Sequence, residues 1–447
     1  QHKPAAILLD ETEYDLANEF DIHQQGASAA LYYKDTPVIM VGDLRGSLDS
    51  LGSRFYDQQD LQWLGVTGTN GKSSIAHMLG QSLNNLGHKA AVVGGVYNGF
   101  SNTRNEEASL TTPDILTLMR YGSDFKRQGA EYVALECSSH ALSQNRTKGL
   151  NLVCGVFTNL SMDHADYHKS IEDYEMSKYR LFESPSLEYA VINCADPVGA
   201  KWYKKLRTEK KCLSYGNHQA DIFAEDVVTY DKNSDSGSFT VHSPQGKGVL
   251  NIRTCSSWGV DNALATLGVL LHLDVKLADA LSAIADVEPL SGRMERISFA
   301  DHADFIIDYA HSPDALLRTL QSARSQMDKD GELWLVFGCG GDRDPSKRAV
   351  MGKIADKYAD RLVLTNDNPR YEDPLEIIKE IMLGINTSDP VIIHDRGDAL
   401  EYAFANAKRE DLVVVAGKGH ESYQETMGEK RAFNDHTFIT NTGINSR

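Results

Sequence analysis

Cysteine is scarce and scattered in this 447-residue chain. The six cysteines (Cys137, Cys154, Cys194, Cys212, Cys255 and Cys339) include no C-x-x-C pair. That argues against a zinc site, and six in this length is far from the density of a disulfide scaffold. Long apolar runs are missing too: no stretch of about 18 apolar residues could span a bilayer. The opening residues Gln1-His2-Lys3-Pro4 carry no apolar signal-peptide core, and a reduced, cytoplasmic setting is expected. There is no internal repeat and no low-complexity tract. Positive charge is in deficit, with 45 Lys and Arg against 63 Asp and Glu and a formal net charge of −18. Such a chain is repelled by nucleic acid and by anionic membrane, which excludes a general polyanion-binding role. A small phosphorylated ligand held by local basic groups and backbone amides is not excluded.

What is present is ordinary for a globular protein, with 41% hydrophobic and 24% charged residues, in a length that calls for two to four domains. Residues 1–60 read as a small α/β unit, with a strand at Thr36–Val41 and a helical stretch through Leu44, Leu48 and Leu51. Residues 61–290 read as a parallel α/β unit. A strand at Leu61–Val66 runs into a glycine-rich turn and a helix from Ser74 to Leu86, and apolar runs follow at 90–94, 132–135, 153–157 and 189–192. Residues 220–257 alternate like antiparallel strands, and helices are expected over 263–273 and 277–285. From Ser291 the rhythm restarts, with buried-strand candidates at 305–307, 333–337, 361–364, 391–393 and 412–415. The expectation is an α/β protein of three domains: a small N-terminal unit, a central P-loop-type parallel sheet and a Rossmann-like C-terminal unit.

Thr67-Gly68-Thr69-Asn70-Gly71-Lys72-Ser73-Ser74 sits between a strand and a helix. Glycines let backbone wrap a phosphate, and amides at a helix start favour anions. Lys72 can reach the β- and γ-phosphates and Ser73 can ligate Mg²⁺. The plainer reading is a turn that only caps a helix. The T-G-T-N-G-K-[ST] form resembles the Mur ligases and the folylpolyglutamate synthases.

Further segments carry the Mur ligase resemblance. Glu136 ends a strand, where ligands gather in open α/β sheets, and is placed to bind Mg²⁺; the alternative is a solvated or capping glutamate. The stretch Glu136–Arg146 and the later Thr158–His168 resemble family signatures. The resemblance implies that Thr111, Thr112, Ser138, Gln144 and Arg146 contact a UDP-muramyl substrate. It also implies that His164 is a second-site metal ligand and that Lys178 is carbamylated. A carbamate would turn that cation into an anionic oxygen ligand, whereas the residues alone suggest a surface helix lysine. Asn262, Arg293 in Gly292–Glu295, and His311 in Asp308–Ala315 are implied around ATP.

The C-terminal unit is implied to choose an amino acid. Phe337–Asp344 reads as a substrate loop presenting Arg343. Asp367-Asn368-Pro369-Arg370 resembles the form that marks relatives using meso-diaminopimelate, whose distal carboxylate Arg370 can grip bidentately. Gly417 and Glu421 are implied to bind the distal ammonium. The implied function is ATP-dependent addition of meso-diaminopimelate to UDP-N-acetylmuramoyl-L-alanyl-D-glutamate through an acyl phosphate, by a cytoplasmic monomer in cell-wall precursor synthesis. Alternatives are a lysine-adding Mur ligase, a folylpolyglutamate synthase and, outside enzymes, a P-loop nucleotide switch. Two segments depart from the family pattern. The N-terminal unit reads as shortened, so no uridine-binding residues are carried over, and Gly259 stands where an asparagine is usual.

Overall fold

A computed structural model describes residues 5–13, 22–24, 31–101, 103–107, 110–161, 167–231, 236–253, 256–327 and 330–445. Among these residues the strands form four sheets. The central sheet has a parallel core in the order Ile222–Asp231, Lys211–Gly216, Tyr189–Asn193, Leu152–Phe157, Gln62–Thr67, Tyr132–Glu136, Ala90–Val93. Its inner strands are apolar on both faces because helices cover both. Lys72–Asn85, Ser257–His272 and Leu277–Ala285 pack through Leu79, Leu264 and Leu281 on one side, and Ile115–Arg127 and Pro197–Leu206 through Leu118 and Trp202 on the other. Hairpins extend the sheet at both edges, Ser236–Ser243 with Gly246–Ile252 and Tyr97–Phe100 with Thr103–Glu107. The sheet is therefore mixed, as the alternation over 220–257 anticipates on one side.

The C-terminal sheet runs Glu295–Ile297, Asp304–Asp308, Leu412–Ala416, Leu333–Phe337, Arg361–Leu364, Val391–Ile392. All its pairs are parallel except the first. In the small N-terminal sheet Thr36–Val41 lies between Ile7–Asp10 and Leu31–Tyr33. The helix Leu44–Phe55, capped by Asp43, follows it. Among the described residues no helix is long and apolar enough to cross a membrane.

The three-domain α/β expectation holds. The largest shift in bounds is the helix expected from Ala263, which starts at Ser257 because the Ser256 hydroxyl accepts the Gly259 N–H at 3.0 Å. Asp261 lies in its early turns, half-buried, and its carboxyl is pushed up to about 6 because burial disfavours the charged form and Arg318 offsets this only in part. A carboxyl that keeps its proton to higher pH when folded than when unfolded adds stability at low pH, and that stability is lost as pH rises through about 6. Asp261→Asn is therefore expected to stabilise the chain by about 3 kcal/mol at pH 8, the gain shrinking as pH falls towards 4. Urea denaturation across that range measures it.

Behind the C-terminal sheet Arg396 and Asp435 form a fully buried bidentate pair, both contacts at 2.8 Å, and Arg396 also donates to the Ala416 carbonyl at 3.1 Å. This ties the last helix, Asp435–Asn445, to the strand end that leads into Gly417. Removing one partner strands a buried charge, so Arg396→Met is expected to cost about 3–5 kcal/mol, whereas a paired Arg396→Met, Asp435→Leu change costs less. Chemical denaturation of the two variants checks the difference.

Candidate active site

The strand Gln62–Thr67 lies between Tyr132–Glu136 and Leu152–Phe157, so three loops meet at one sheet end. The first is the phosphate loop. Gly68 has φ +143° and a Cβ there would fall 1.8 Å from Thr158 Oγ1; Gly71 has φ +91°. Only glycine fits both places. The loop is held from the third strand's end, where the Asn159 Oδ1 accepts the Asn70 N–H at 3.1 Å and Thr158 Oγ1 donates to the Asn70 carbonyl at 2.6 Å. Lys72 Nζ donates to the Gly68 and Thr69 carbonyls at 3.0 and 2.7 Å.

Ser73 Oγ donates to Glu136 Oε2 at 2.9 Å, and the Gly95 N–H donates to Oε1 at 2.8 Å. Glu136 is buried rather than solvated. Burial pushes its carboxyl up, against the opposing pull of Lys72, the Gly95 N–H, Arg293 and Ser73. A buried carboxylate facing a hydroxyl offers two hard oxygen donors, a set that would suit a magnesium ion. Lys178 is only 1% exposed and not a surface lysine; its ammonium donates to the Gly68 carbonyl at 2.8 Å and lies 4.3 Å from the Tyr174 ring centre. His164 lies outside the described residues.

A cavity opens beside the loop, lined by Asn70, Gly71, Ser74, Trp258, Asn262, Arg293 and His311, with Asp308 and Tyr309 behind. The nucleotide residues expected from the sequence are thus brought to one place from two domains. Arg293 Nη2 donates to Ser73 Oγ at 3.2 Å, and Asn70 Nδ2 donates to Asp314 Oδ2 at 3.1 Å. Arg318 bonds Asp314 and lies 4.5 Å from the Trp258 ring centre. The sequence marks Asp314 only as a member of the Asp308–Ala315 motif and gives Arg318 and Trp258 no role.

A second cluster flanks Glu136. Thr112 Oγ1 donates to the Glu136 carbonyl at 2.6 Å and accepts the Ser138 N–H at 3.0 Å; Arg146 donates to the Thr112 carbonyl at 2.7 Å and to Gln144 Oε1 at 2.7 Å. Thr111 stands beside Gly95. Tyr167, not expected here, accepts from Gln144 at 3.0 Å. Hydrogen bonds with Ser143 and Gln144 lower its pKa.

The third cluster lies at the C-terminal ends of Leu333–Phe337, Arg361–Leu364 and Leu412–Ala416. A Cβ on Gly340 would come within 3.0 Å of Arg370 Nη1, 3.7 Å of Asp367 Oδ1 and 3.8 Å of Arg343 Cγ, so these three surround one point. Arg370 donates to the Gly341 carbonyl at 2.7 Å. The Asn368 carbonyl accepts the Gly341 N–H at 2.9 Å, and the Pro369 carbonyl caps Glu372. Asn368 Nδ2 donates to Glu421 Oε2 at 2.7 Å, and Gly417, at φ +111°, lets Asp367 approach. The chain Ser73, Arg293, Tyr309, His420 links this cluster to the phosphate loop: Arg293 sits 4.7 Å over the Tyr309 ring, which is 5.2 Å from His420.

The chain matches the Mur ligase middle domain over residues 66–270 and the Mur ligase glutamate ligase domain over residues 292–419. It is 42% identical over 380 residues to the UDP-N-acetylmuramoyl-L-alanyl-D-glutamate--2,6-diaminopimelate ligase of Chromobacterium violaceum, covering 84% of this chain and 76% of that one. The Vibrio parahaemolyticus protein of the same name is 38% identical over 412 residues, covering 90% and 81%. A solved structure of a protein so named superposes with a TM-score of 0.66 at 32% identity, covering 95% and 86%.

Proposed function

The chain belongs to the Mur ligase family and is an ATP-dependent amide-bond-forming ligase, and on that premise we propose that it adds meso-diaminopimelate to UDP-N-acetylmuramoyl-L-alanyl-D-glutamate. The observation that carries the choice of amino acid is the convergence of Arg343, Asp367 and Arg370 on one point beside Asn368 and Glu421. A guanidinium and a carboxylate side by side suit a distal end bearing both carboxylate and ammonium. Lysine, with no distal carboxylate, leaves Arg370 without its partner, and a folate glutamylating enzyme has no use for this pairing.

The Thr111, Thr112, Ser138, Gln144 and Arg146 cluster holds the muramyl dipeptide with its terminal carboxylate towards the phosphate loop. That carboxylate oxygen attacks the γ-phosphorus of ATP and ADP departs, giving an acyl phosphate. The α-amine of diaminopimelate then attacks the acyl carbon, the carbon–oxygen bond to phosphate breaks, and the amine gives up a proton. Lys72 meets charge gathering on the transferred group, and Gly68, Thr69, Asn70, Gly71 and Ser74 wrap the phosphates. A magnesium ion held by Ser73 and Glu136 would supply further neutralisation of that charge. A carbamate on Lys178, with His164, would furnish oxygen and nitrogen donors for a second. Arg293, Asn262 and His311 close the nucleotide in, excluding water from the acyl phosphate. We divide the chain at residues 60/61 and 290/291 into muramyl-substrate, ATP and amino-acid domains, acting as a cytoplasmic monomer on small molecules.

Phosphate release from ATP, Mg²⁺ and UDP-muramyl dipeptide tests the reading. Diaminopimelate should stimulate it. Stimulation by lysine instead overturns the specificity, and no stimulation by any amino acid overturns the substrate assignment.

A further inference from the structure

Two charged side chains of the amino-acid subsite have no part in the reading above. Lys418 is fully buried, and its ammonium donates to Glu421 Oε2 at 2.9 Å, to Asn368 Oδ1 at 3.2 Å and to the Tyr423 carbonyl. A buried ammonium is tolerated only when paired and hydrogen-bonded, and three acceptors meet its three N–H groups. Glu425 approaches from the other side. Its Oε2 lies 3.7 Å from Arg370 Nε, its carbonyl accepts the Arg370 N–H at 3.1 Å, and its N–H donates to Asn368 Oδ1 at 2.9 Å. Both residues therefore lock onto the segment that faces the substrate.

Together they set one cation against one anion twice over, Lys418 against Glu421 at 2.9 Å and Arg370 against Glu425 at 3.7 Å, a balanced pair of ion pairs. A balanced pocket suits a side-chain end that is itself a zwitterion, and offers a bare ammonium no net attraction. We propose that Lys418 and Glu425 set this balance, and with it the preference of the subsite for a zwitterionic over a purely cationic side-chain end. The inference rests on the diaminopimelate reading. Lys418 works through Glu421: Oε2 accepts both Lys418 and Asn368, which leaves Oε1 to the substrate ammonium and keeps the carboxylate from acting as an uncompensated anion. Glu425 works through Arg370, tempering the guanidinium that takes the substrate carboxylate. Neither touches the phosphate loop, so both act on the acceptor's KM rather than on ATP.

The experiment compares kcat/KM for meso-diaminopimelate and for L-lysine in the full chain, with ATP and UDP-muramyl dipeptide saturating. Glu425→Gln keeps the shape and removes the negative charge; it should raise the diaminopimelate-to-lysine ratio about tenfold. Lys418→Met removes the positive charge and should lower the ratio by about the same factor, with the KM for ATP unchanged in both. A loss of packing alone reduces both acceptors together and leaves the ratio alone. Ratios that move in the same direction in the two variants, or a Glu425→Gln ratio that stays at the parent value, overturn the proposal. Should Lys418→Met fail to fold, Glu425→Gln decides it. A parent chain that prefers lysine overturns the diaminopimelate reading itself and is recognised before any variant is made.

Discussion

In Lys72→Ala, ATP-dependent phosphate release is expected to fall by about a thousandfold. The lysine opens the helix Lys72–Asn85 directly after Gly71, and its ammonium already sits within 3.0 Å of two loop carbonyls, Gly68 and Thr69. Phosphoryl transfer leaves a protein little covalent chemistry to perform; positioning and charge neutralisation do most of the work. Alanine removes the charge but leaves the glycine loop intact, since Asn159 and Thr158 hold Asn70 independently. The variant should therefore fold, with unchanged denaturation, and lose kcat. Retention of a tenth or more of the parent rate would remove Lys72 from the catalytic machinery.

The second large effect is on the acceptor. Arg370→Ala is expected to raise the KM for diaminopimelate by about a hundredfold or more, the cost of leaving a substrate carboxylate without its charged partner. The KM for ATP should not change, because the contacts of Arg370 are with Gly341, Glu425 and Asp367, none of which belongs to the phosphate loop. Arg370 has φ +51°, an uncommon conformation for a residue other than glycine, pinned by backbone bonds to Glu425 and Met427 on both sides. Because alanine tolerates that backbone no better, Arg370→Lys is the companion variant: it keeps charge but not the planar fork and should recover only part of the affinity. An equal loss of ATP binding would show that the substitution acts on the domain rather than on the acceptor.

Motifs carried the reading of the site further than periodicity did. The phosphate loop was legible because glycine, lysine and serine at that spacing after a strand have few other uses. The strands Leu333–Phe337 and Arg361–Leu364 were legible to the residue, since strands buried on both faces are unbroken apolar runs. The strand Glu295–Ile297 and the hairpin Tyr423–Thr426 with Glu429–Ala432 were not, being too short and too polar to show a period. Depth was the main thing hidden. A lysine in a helix such as Ile171–Tyr179 ordinarily points to water, and nothing local says that Lys178 turns inward to Gly68. Lys418, flanked by two glycines, is likewise unmarked. Asp314 and Arg318 form an ordinary i,i+4 surface pair in sequence; their meaning appears only when a second domain brings Asn70 and Trp258 against them.

That meeting of Asn70 with Asp314 and of Ser73 with Arg293 bears on how such enzymes diversify. In the proposed assignment the nucleotide half of the reaction is assembled from both domains, while the acceptor pocket belongs to the last domain alone. A lineage can therefore graft a new acceptor onto old energy-coupling chemistry by exchanging one domain, provided the grafted piece brings its arginine and aspartate with it. Two short contacts thus act in this chain as the fitting between the two parts.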